Sequence, residues 1–473
     1  MFNEVHSGGL LVQPAAVTAQ TLRQLAYHDP EHFPVLLDSA AVGPLSRYSI
    51  LAAYPQSALW LDAHGVLQSS GSLEVAAGQG FLTALENAWR RESRIGQHVS
   101  DCGMPFRGGW IVFLGYELAG EVEPRLALPS GGATALEGPG AFALRVPAGV
   151  IYDHVESRAW MFAEGHALQL LPALEAALRT VREDTVASEP VSVLLREEPA
   201  ERFQSRVEAA LEYIAAGDIY QANLSRPWRG EWVVAGGTQA VACDLYERLR
   251  RVNPSPFAAL AQFQDWRLLS CSPERLVRVT GSRVETRPIA GTRPRSGIDD
   301  RHALEIAGLI EHPKERAEHV MLIDLERNDL GRICRAGSVR PDEFMAIESY
   351  AHVHHIVSNV SGELRSDLTP IDVLRAVFPG GTITGCPKFR CMQIIAELEG
   401  EARQAYTGAL GYLNHDGSMD FNILIRTLAL QAGRLEFRTG AGIVADSDWQ
   451  RELAETRAKA RGILHGLNAD TPP

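Results

Sequence analysis

The run from Pro256 to Ile289 reads PFAALAQF, WRLLSCS, RLVRVTG and SRVETRPI, four short apolar-rich segments with only brief breaks between them. Short strands so closely spaced leave room for tight turns and not for crossover helices, and tight turns join antiparallel neighbours. YTGALGYL and RLEFRTGAGIVAD extend the pattern towards the C-terminus. Helices are predicted at about 300–311, 313–328, 387–399 and 448–466. Another is predicted in ERFQSRVEAALEYIAAGD, where Phe203, Val207, Ala210 and Ile214 share one face and Gly217 stands at the C-cap. The chain therefore reads as α/β (α+β), with mostly antiparallel sheets flanked by helices.

Residues 1–185 alternate short strands and helices: PVLLDSA and RYSILAAYP are strand-like, and GGWIVFLGYELAGEV is a buried strand leading into a turn or helix. GGATALEGPGAFAL, residues 131–144, reads as a surface loop. The charged, proline-interrupted segment at about 182–201 is taken as the boundary between a 1–185 region and a 196–467 domain. With 473 residues, 45% of them hydrophobic, the chain has ample material for a large core. Its formal charge of −13 argues against bulk nucleic-acid binding and against anionic membranes. It does not exclude small anions, because Arg287, Arg293 and Arg295 form a local cationic cluster. The six cysteines show no C-x-x-C pair, the N-terminus has no signal-peptide pattern, and no apolar run is long enough to span a membrane. A cytoplasmic protein is expected.

Two helices carry Glu at i and i+3. In HPKERAEHVMLIDLERNDLGR these are Glu315 and Glu318, with Glu318 between the apolar Met321, Leu322 and Leu325. A carboxylate in an apolar stripe is costly unless a cation compensates it. In SDWQRELAETRAKARG, behind an expected Ser447 N-cap, they are Glu452 and Glu455. Four carboxylates on two helices could hold one hard divalent cation such as Mg2+. The same spacing suits ordinary helix pairs, such as Glu452 with Thr456 or Glu455 with Lys459.

FPGGTITGCPKFR is a glycine-rich turn entering a helix, where free backbone N–H groups and Lys388 would attract an anion. Cys386 stands where a P-loop lysine would follow, which rejects nucleotide binding. Gly440, Ala441 and Gly442 end a strand where small residues let a carboxylate approach the backbone. Arg426 in NILIRTLAL is a charge inside an apolar strand and calls for a carboxylate, from the protein or from a substrate. In YAHVHHIVSNV, His352 and His354 share a strand face and His355 takes the other.

Taken in order, GDIYQANLS, SCSPERL, RPIAGTRPR, RAEHVMLIDLERNDLGR, HVHHIVS, PGGTITGCPK, YTGALGY and GAGIVADSD resemble the chorismate-binding family of anthranilate, aminodeoxychorismate, isochorismate and salicylate synthases. The resemblance runs from about Arg202 to Leu464, and VLLDSA and SRYSI extend it towards the amino-transferring members. It implies two antiparallel sheets with helices outside. It implies Mg2+ on Glu318 and Glu455, with Glu315 and Glu452 nearby, and the ring carboxylate of chorismate on Mg2+ and the backbone of Gly440, Ala441 and Gly442. It further implies the enolpyruvyl carboxylate on Arg426 and Tyr406, with His355 and Thr382 beside the ring. Glu274 matches the acid that protonates the departing C4 hydroxyl, so its pKa should be raised.

At Gln221 the water-using members resemble a lysine, so glutamine points to ammonia as nucleophile. Many aminodeoxychorismate synthases resemble PIKGT where this chain has Ala290, and their lysine attacks C2; PIAGT is similar to anthranilate synthases. SCSPERL, GGTITGCPK and Asn422 resemble the aminodeoxychorismate branch more closely. The expectation is an aminodeoxychorismate synthase of PIAGT type, fed with ammonia by a separate glutamine amidotransferase. The chain shows no Cys-His-Glu glutaminase module of its own. A non-catalytic chorismate-binding paralogue would be expected to have lost Glu274, Glu318 or Glu455, and all three are present.

Overall fold

A computed structural model describes residues 4–6, 9–41, 43, 45–93, 103–129, 136–181, 193–232, 237–294, 313–349 and 353–468, with backbone alone at 4–6, 290–294, 313–315, 349, 353 and 354. Two large antiparallel sheets form the centre. Among the described residues the first has 13 strands and the second 11. The helix expected at 300–311 lies outside the described residues.

In the first sheet, Leu10–Ala15, Arg158–Glu164, Ala148–Asp153, Tyr48–Ala53 and Val35–Asp38 lead to Phe257–Phe263. Trp266–Ser272, Thr427–Gln431, Arg434–Ile443, Gln221–Trp232 and Val193–Glu197 complete the row. The second sheet runs from Ile289–Pro294 through Val353–Glu363, Arg283–Arg287, Arg275–Thr280, Met419–Ile423 and Ala409–Asn414. It continues through Gly109–Leu114 to Ala141–Val146 and Ser57–Leu61. Strands from either side of residues 182–201 thus share both sheets. The seams are Leu36 opposite Leu260 in the first sheet and Val112 opposite Gly411 in the second.

The period of two along each strand explains how the sheets stack. Ile111 and Phe113 point into a cluster with Phe142, Ala259, Ala261 and Leu268, between the sheets. Trp110, Val112 and Leu114 point the other way, towards Phe81 and Leu85 of the Phe81–Ser93 helix and Leu374 of the Pro370–Val377 helix. On the outer face of the first sheet, Leu260 and Leu269 pack with Leu245 of the Thr238–Val252 helix and Ile463 of the Trp449–Leu467 helix. Both faces of both sheets are covered, so central strands read as nearly continuous apolar runs.

Local expectations mostly match. The helix over ERFQSRVEAALEYIAAGD spans Ala200–Ala215, with Phe203, Val207 and Ala210 buried and Gly217 at φ +81° just past its end. The Pro313–Gly331, Lys388–Glu399 and Trp449–Leu467 helices take the places expected for them. Two expectations are corrected. Residues 141–144 are not loop but the start of the buried strand Ala141–Val146. Glycines mask the signal, yet Phe142 and Leu144 alternate with Ala141 and Ala143 between the two faces. The N-cap of the last helix is Asp448, which accepts the Arg451 N–H at 3.1 Å; the Ser447 hydroxyl instead donates to Glu452 at 2.7 Å.

Candidate functional site

The chain crosses between the two sheets at two adjoining corners, and each corner carries one charged residue. Glu274 lies between Trp266–Ser272 of the first sheet and Arg275–Thr280 of the second. Arg426 lies between Met419–Ile423 of the second and Thr427–Gln431 of the first. Backbone hydrogen bonds stitch the corners together: the Ile423 N–H donates to the Glu274 carbonyl at 3.0 Å and the Cys271 N–H to the Arg426 carbonyl at 3.1 Å.

Glu274 is buried, at 4% exposed. Burial pushes its carboxyl up to about 7, although the Thr382 hydroxyl, the Ile289 N–H at 3.4 Å, Arg426 and Lys459 all favour the charged form. This is the raised carboxyl expected from the sequence. Arg426 corrects the expectation of a charge inside a strand: it sits at the corner with φ +52°, a left-handed conformation held by the sheet crossing. Burial lowers its pKa, while Cys271 and Glu274 favour its charge. Among the described residues its guanidinium has no ion-pair partner.

Tyr406 approaches from the loop before Ala409–Asn414. Thr407 is also left-handed, at φ +62°, and its N–H donates to the Leu424 carbonyl at 2.8 Å. The Tyr406 hydroxyl lies 2.6 Å from the position a Cβ on Gly440 would occupy; Asn223 Oδ1 and the Leu224 carbonyl lie 2.8 Å from it. The Gln221 amide stands 2.6 Å from the equivalent point on Gly442. Both glycines are required because the Tyr406 and Gln221 side chains close on the backbone. Ala441, between them, joins an apolar cluster with Leu224 and Cys391. Gln221 is buried, and among the described residues its Oε1 accepts no hydrogen bond. Lys459 donates to the Gly440 carbonyl at 2.9 Å.

Other candidates lie at different distances from this centre. Thr382 is in the Gly381–Ile383 turn beside Glu274. His355 is buried on Val353–Glu363, opposite Thr292. Ala290 pairs with Ile356 through the backbone, and its side chain lies outside the described residues, as do His352 and the His354 side chain. Lys388 does not offer its charge to an anion at the helix start. Its ammonium pairs with Asp329 and donates to the carbonyls of Val377 at 3.3 Å and Pro379 at 2.9 Å. Arg287 of the cationic cluster ends the Arg283–Arg287 strand and pairs with Glu343 and Glu348, each at 2.6 Å, while the Arg293 side chain and Arg295 lie outside the described residues.

Glu318 is half-buried, with Leu322 and Leu325 buried along its helix. Glu452 is buried and Glu455 pairs with Lys459 at 2.8 Å, whereas Thr456 donates to the Leu453 carbonyl and not to Glu452. The Glu315 side chain lies outside the described residues. Among the described residues no group of three or more His, Cys, Asp or Glu side chains could hold a metal ion alone. Hard carboxylate oxygens are nevertheless the donor chemistry that Mg2+ takes, with water and ligand oxygens completing its shell.

Sequence reasoning missed the supports. Burial alone would raise the Glu399 carboxyl, but Arg403, Arg438 and the Ser225 N–H hold it below its ordinary value. Arg403 donates to it at 2.6 and 3.0 Å and Arg438 at 3.3 Å. The cluster fixes Arg438 two residues before Gly440, and Arg403 three before Tyr406. Glu117 accepts the Arg403 and Gln404 N–H groups at 2.7 and 3.0 Å, and burial pushes its carboxyl up to about 7. The i,i+4 spacing of Glu399 and Arg403 was a visible signal; the third member, from a strand, was not. Two hollows of about 900 and 600 Å3 share Arg47, Tyr48, Gly103 and Met104, and neither is lined by Glu274, Arg426, Tyr406 or Gly440.

Comparison with known proteins matches residues 51–465 to the family described as chorismate binding enzyme. An anthranilate synthase component I-like protein of Synechocystis sp. is 38% identical over 425 residues, covering 89% of this chain and 83% of that one. The aminodeoxychorismate synthase component 1 of Bacillus subtilis is 37% identical over 472 residues, covering 95% and 94%. A crystal structure of anthranilate synthase component I from Streptococcus pneumoniae TIGR4 aligns with a TM-score of 0.74 at 33% identity, over 89% of this chain and 93% of that one. With its two antiparallel sheets and its ordered motifs, the chain belongs to the chorismate-binding enzyme family.

Proposed function

We propose that the chain is an aminodeoxychorismate synthase, aminating chorismate at C4 with ammonia that a separate amidotransferase releases from glutamine. The observation that carries this reading is the placement at the sheet crossing: a buried acid, Glu274, whose burial favours the protonated form, beside a guanidinium with no ion-pair partner among the described residues. Arg426 and Tyr406 would bind the enolpyruvyl carboxylate, and the Gly440–Gly442 backbone the ring carboxylate. The acceptor oxygen of Gln221 would take a hydrogen bond from ammonia and orient its lone pair. Glu318 and Glu455, with Glu315 and Glu452 near them, would hold Mg2+, which when bound neutralises the ring carboxylate.

Ammonia adds at C2, the ring double bond shifts and the C4–O bond breaks. Glu274 gives its proton to the departing oxygen, which leaves as water. Ala290 offers no amine, so no covalent adduct forms there. A second ammonia then adds at C4, and the C2 amine, protonated, leaves as ammonia. The net change is chorismate plus ammonia to 4-amino-4-deoxychorismate plus water. The choice of C4 is supported by the end-to-end likeness to the Bacillus subtilis aminodeoxychorismate synthase component 1.

Ala290 itself favours a second reading, anthranilate synthase component I, in which the C2 amine is kept and pyruvate is lost. Incubation with chorismate, Mg2+ and ammonium, with and without a lyase that converts aminodeoxychorismate to p-aminobenzoate, separates the two. The C4 reading expects p-aminobenzoate only when the lyase is added. Anthranilate in both samples would overturn it.

A further inference from the structure

The Pro313–Gly331 helix carries two buried acids that this chemistry leaves unused, Glu326 and Asp329. Lys388 is the cation beside them. Its ammonium pairs with Asp329, and its other donors go to the carbonyls of Val377 and Pro379. An ammonium has three donors, so this one is fully taken up. Lys388 is thus the buried cation beside both carboxyls, and it is bound to Asp329, on which the exposed Arg332 also acts. Glu326 instead reaches under the glycine turn. Its Oε1 lies 3.1 Å from the point where a Cβ on Gly381 would stand. The residue after Gly381 is Thr382, which stands against Glu274.

We propose that Glu326 is a positioning residue that works as an uncharged carboxylic acid, bracing the turn of Gly380, Gly381 and Thr382 against Glu274. The idea rests on the reading of Glu274 as the acid of the reaction. Burial pushes the Glu326 carboxyl up, as do Asp329 on its own helix and Glu274 at the sheet crossing; Lys388, at the start of the Lys388–Glu399 helix, and Thr286 on Arg283–Arg287 oppose the rise. A protonated Glu326 leaves Asp329 as the one buried anion against the buried ammonium of Lys388. Ionisation would place an unpaired buried charge under the turn. It would also disfavour the carboxylate that Glu274 becomes when its proton leaves. Both effects reduce turnover on the alkaline side.

Two measurements test this. The first compares the pH dependence of kcat in the wild type and in Glu326→Gln, which keeps the shape and cannot ionise. The wild-type alkaline limb should fall with a slope approaching two, and that of E326Q with a slope of one. Profiles that coincide after scaling would overturn the proposal. The second needs no turnover: infrared difference spectra at pH 7 between Glu274→Gln and the double variant Glu274→Gln with Glu326→Gln. A protonated-carboxyl band present in the first and absent from the second supports the proposal, and no such difference overturns it. Should the double variant not fold, the same difference spectrum between the wild type and Glu326→Gln alone answers the question. The two readings fail separately. Full turnover by E274Q removes Glu274 as the acid, whereas an inactive E274Q with a wild-type-shaped E326Q profile removes only the role of Glu326.

Discussion

The Tyr406 hydroxyl stands 2.6 Å from where a Cβ on Gly440 would sit, so the tyrosine and the strand that faces it cannot both stay in place if that glycine gains a side chain. Gly440→Ala should lower kcat/KM by about 100-fold, the order of loss expected when cleft groups are displaced by about an ångström. Tyr406→Phe in the same chain should not restore it, because Asn223 Oδ1 and the Leu224 carbonyl crowd the same point at 2.8 Å. Steady-state kinetics on the single and double variants check this; rescue by phenylalanine would show that tyrosine alone sets the limit.

Glu274→Gln should lose about 10²–10⁴-fold in kcat and gain stability. The folded carboxyl titrates near 7 against an ordinary value of 4.5. Between those values the native state keeps a proton that the unfolded chain releases, so wild-type stability falls as pH rises through that window. The stability gap between variant and wild type should widen by up to roughly 3 kcal/mol from pH 4 to pH 7. Denaturation curves across that range measure it, and parallel pH dependences would count against a raised Glu274.

Arg426→Gln should reduce kcat/KM by roughly 10–100-fold, the value of charge-assisted hydrogen bonds to a carboxylate. Arg426 also favours the charged form of Glu274. Removing the cation lifts the carboxyl further, so the alkaline limb of the rate profile, set in the wild type near 7, should move to higher pH. A limb that moves down or stays put contradicts that coupling.

Breaking the buried cluster of Glu399, Arg403 and Arg438 should be costly. Glu399→Gln leaves Arg403 and Arg438 without their central charge and should destabilise the fold by about 3–5 kcal/mol. The midpoint of urea unfolding reads this directly; a change below about 1 kcal/mol would mean that Glu401, which also accepts from Arg438 at 3.1 Å, carries the load.

Dialysis against a chelator should abolish turnover, and Mg2+ should restore it. Glu455→Ala should raise the Mg2+ concentration needed for half-activity by about 10-fold or more. Turnover that survives chelation would remove the metal from the mechanism.

Much of this architecture is legible in the sequence where period and turn chemistry agree. The strands from Phe257 to Arg287 are short, closely spaced and apolar, and nothing competes with that pattern. Ala141–Val146 is hidden because flanking glycines resemble a loop, and only packing on both faces defines it. Arg426 is misread as a strand residue because the apolar residues around it continue unbroken while the chain changes sheets. Glu274 declares itself through its motif, but Glu326, Asp329 and Lys388 do not, since their relationship exists only once a helix and a turn meet. Periodicity reports which face is buried; it does not report which charges converge there.

The interleaving of strands across both sheets also bears on how the chain is made. Gly109–Leu114 lies between Ala141–Val146 and Ala409–Asn414, with Gly109 opposite Asn414. At roughly 5–20 residues per second, a ribosome needs on the order of half a minute to deliver that second partner. Throughout that interval an all-apolar strand has one open edge and an incomplete covering. Nascent chains of this protein should therefore depend on holding chaperones until the last third emerges, and translation pauses late in the message should cost more soluble protein than pauses early in it.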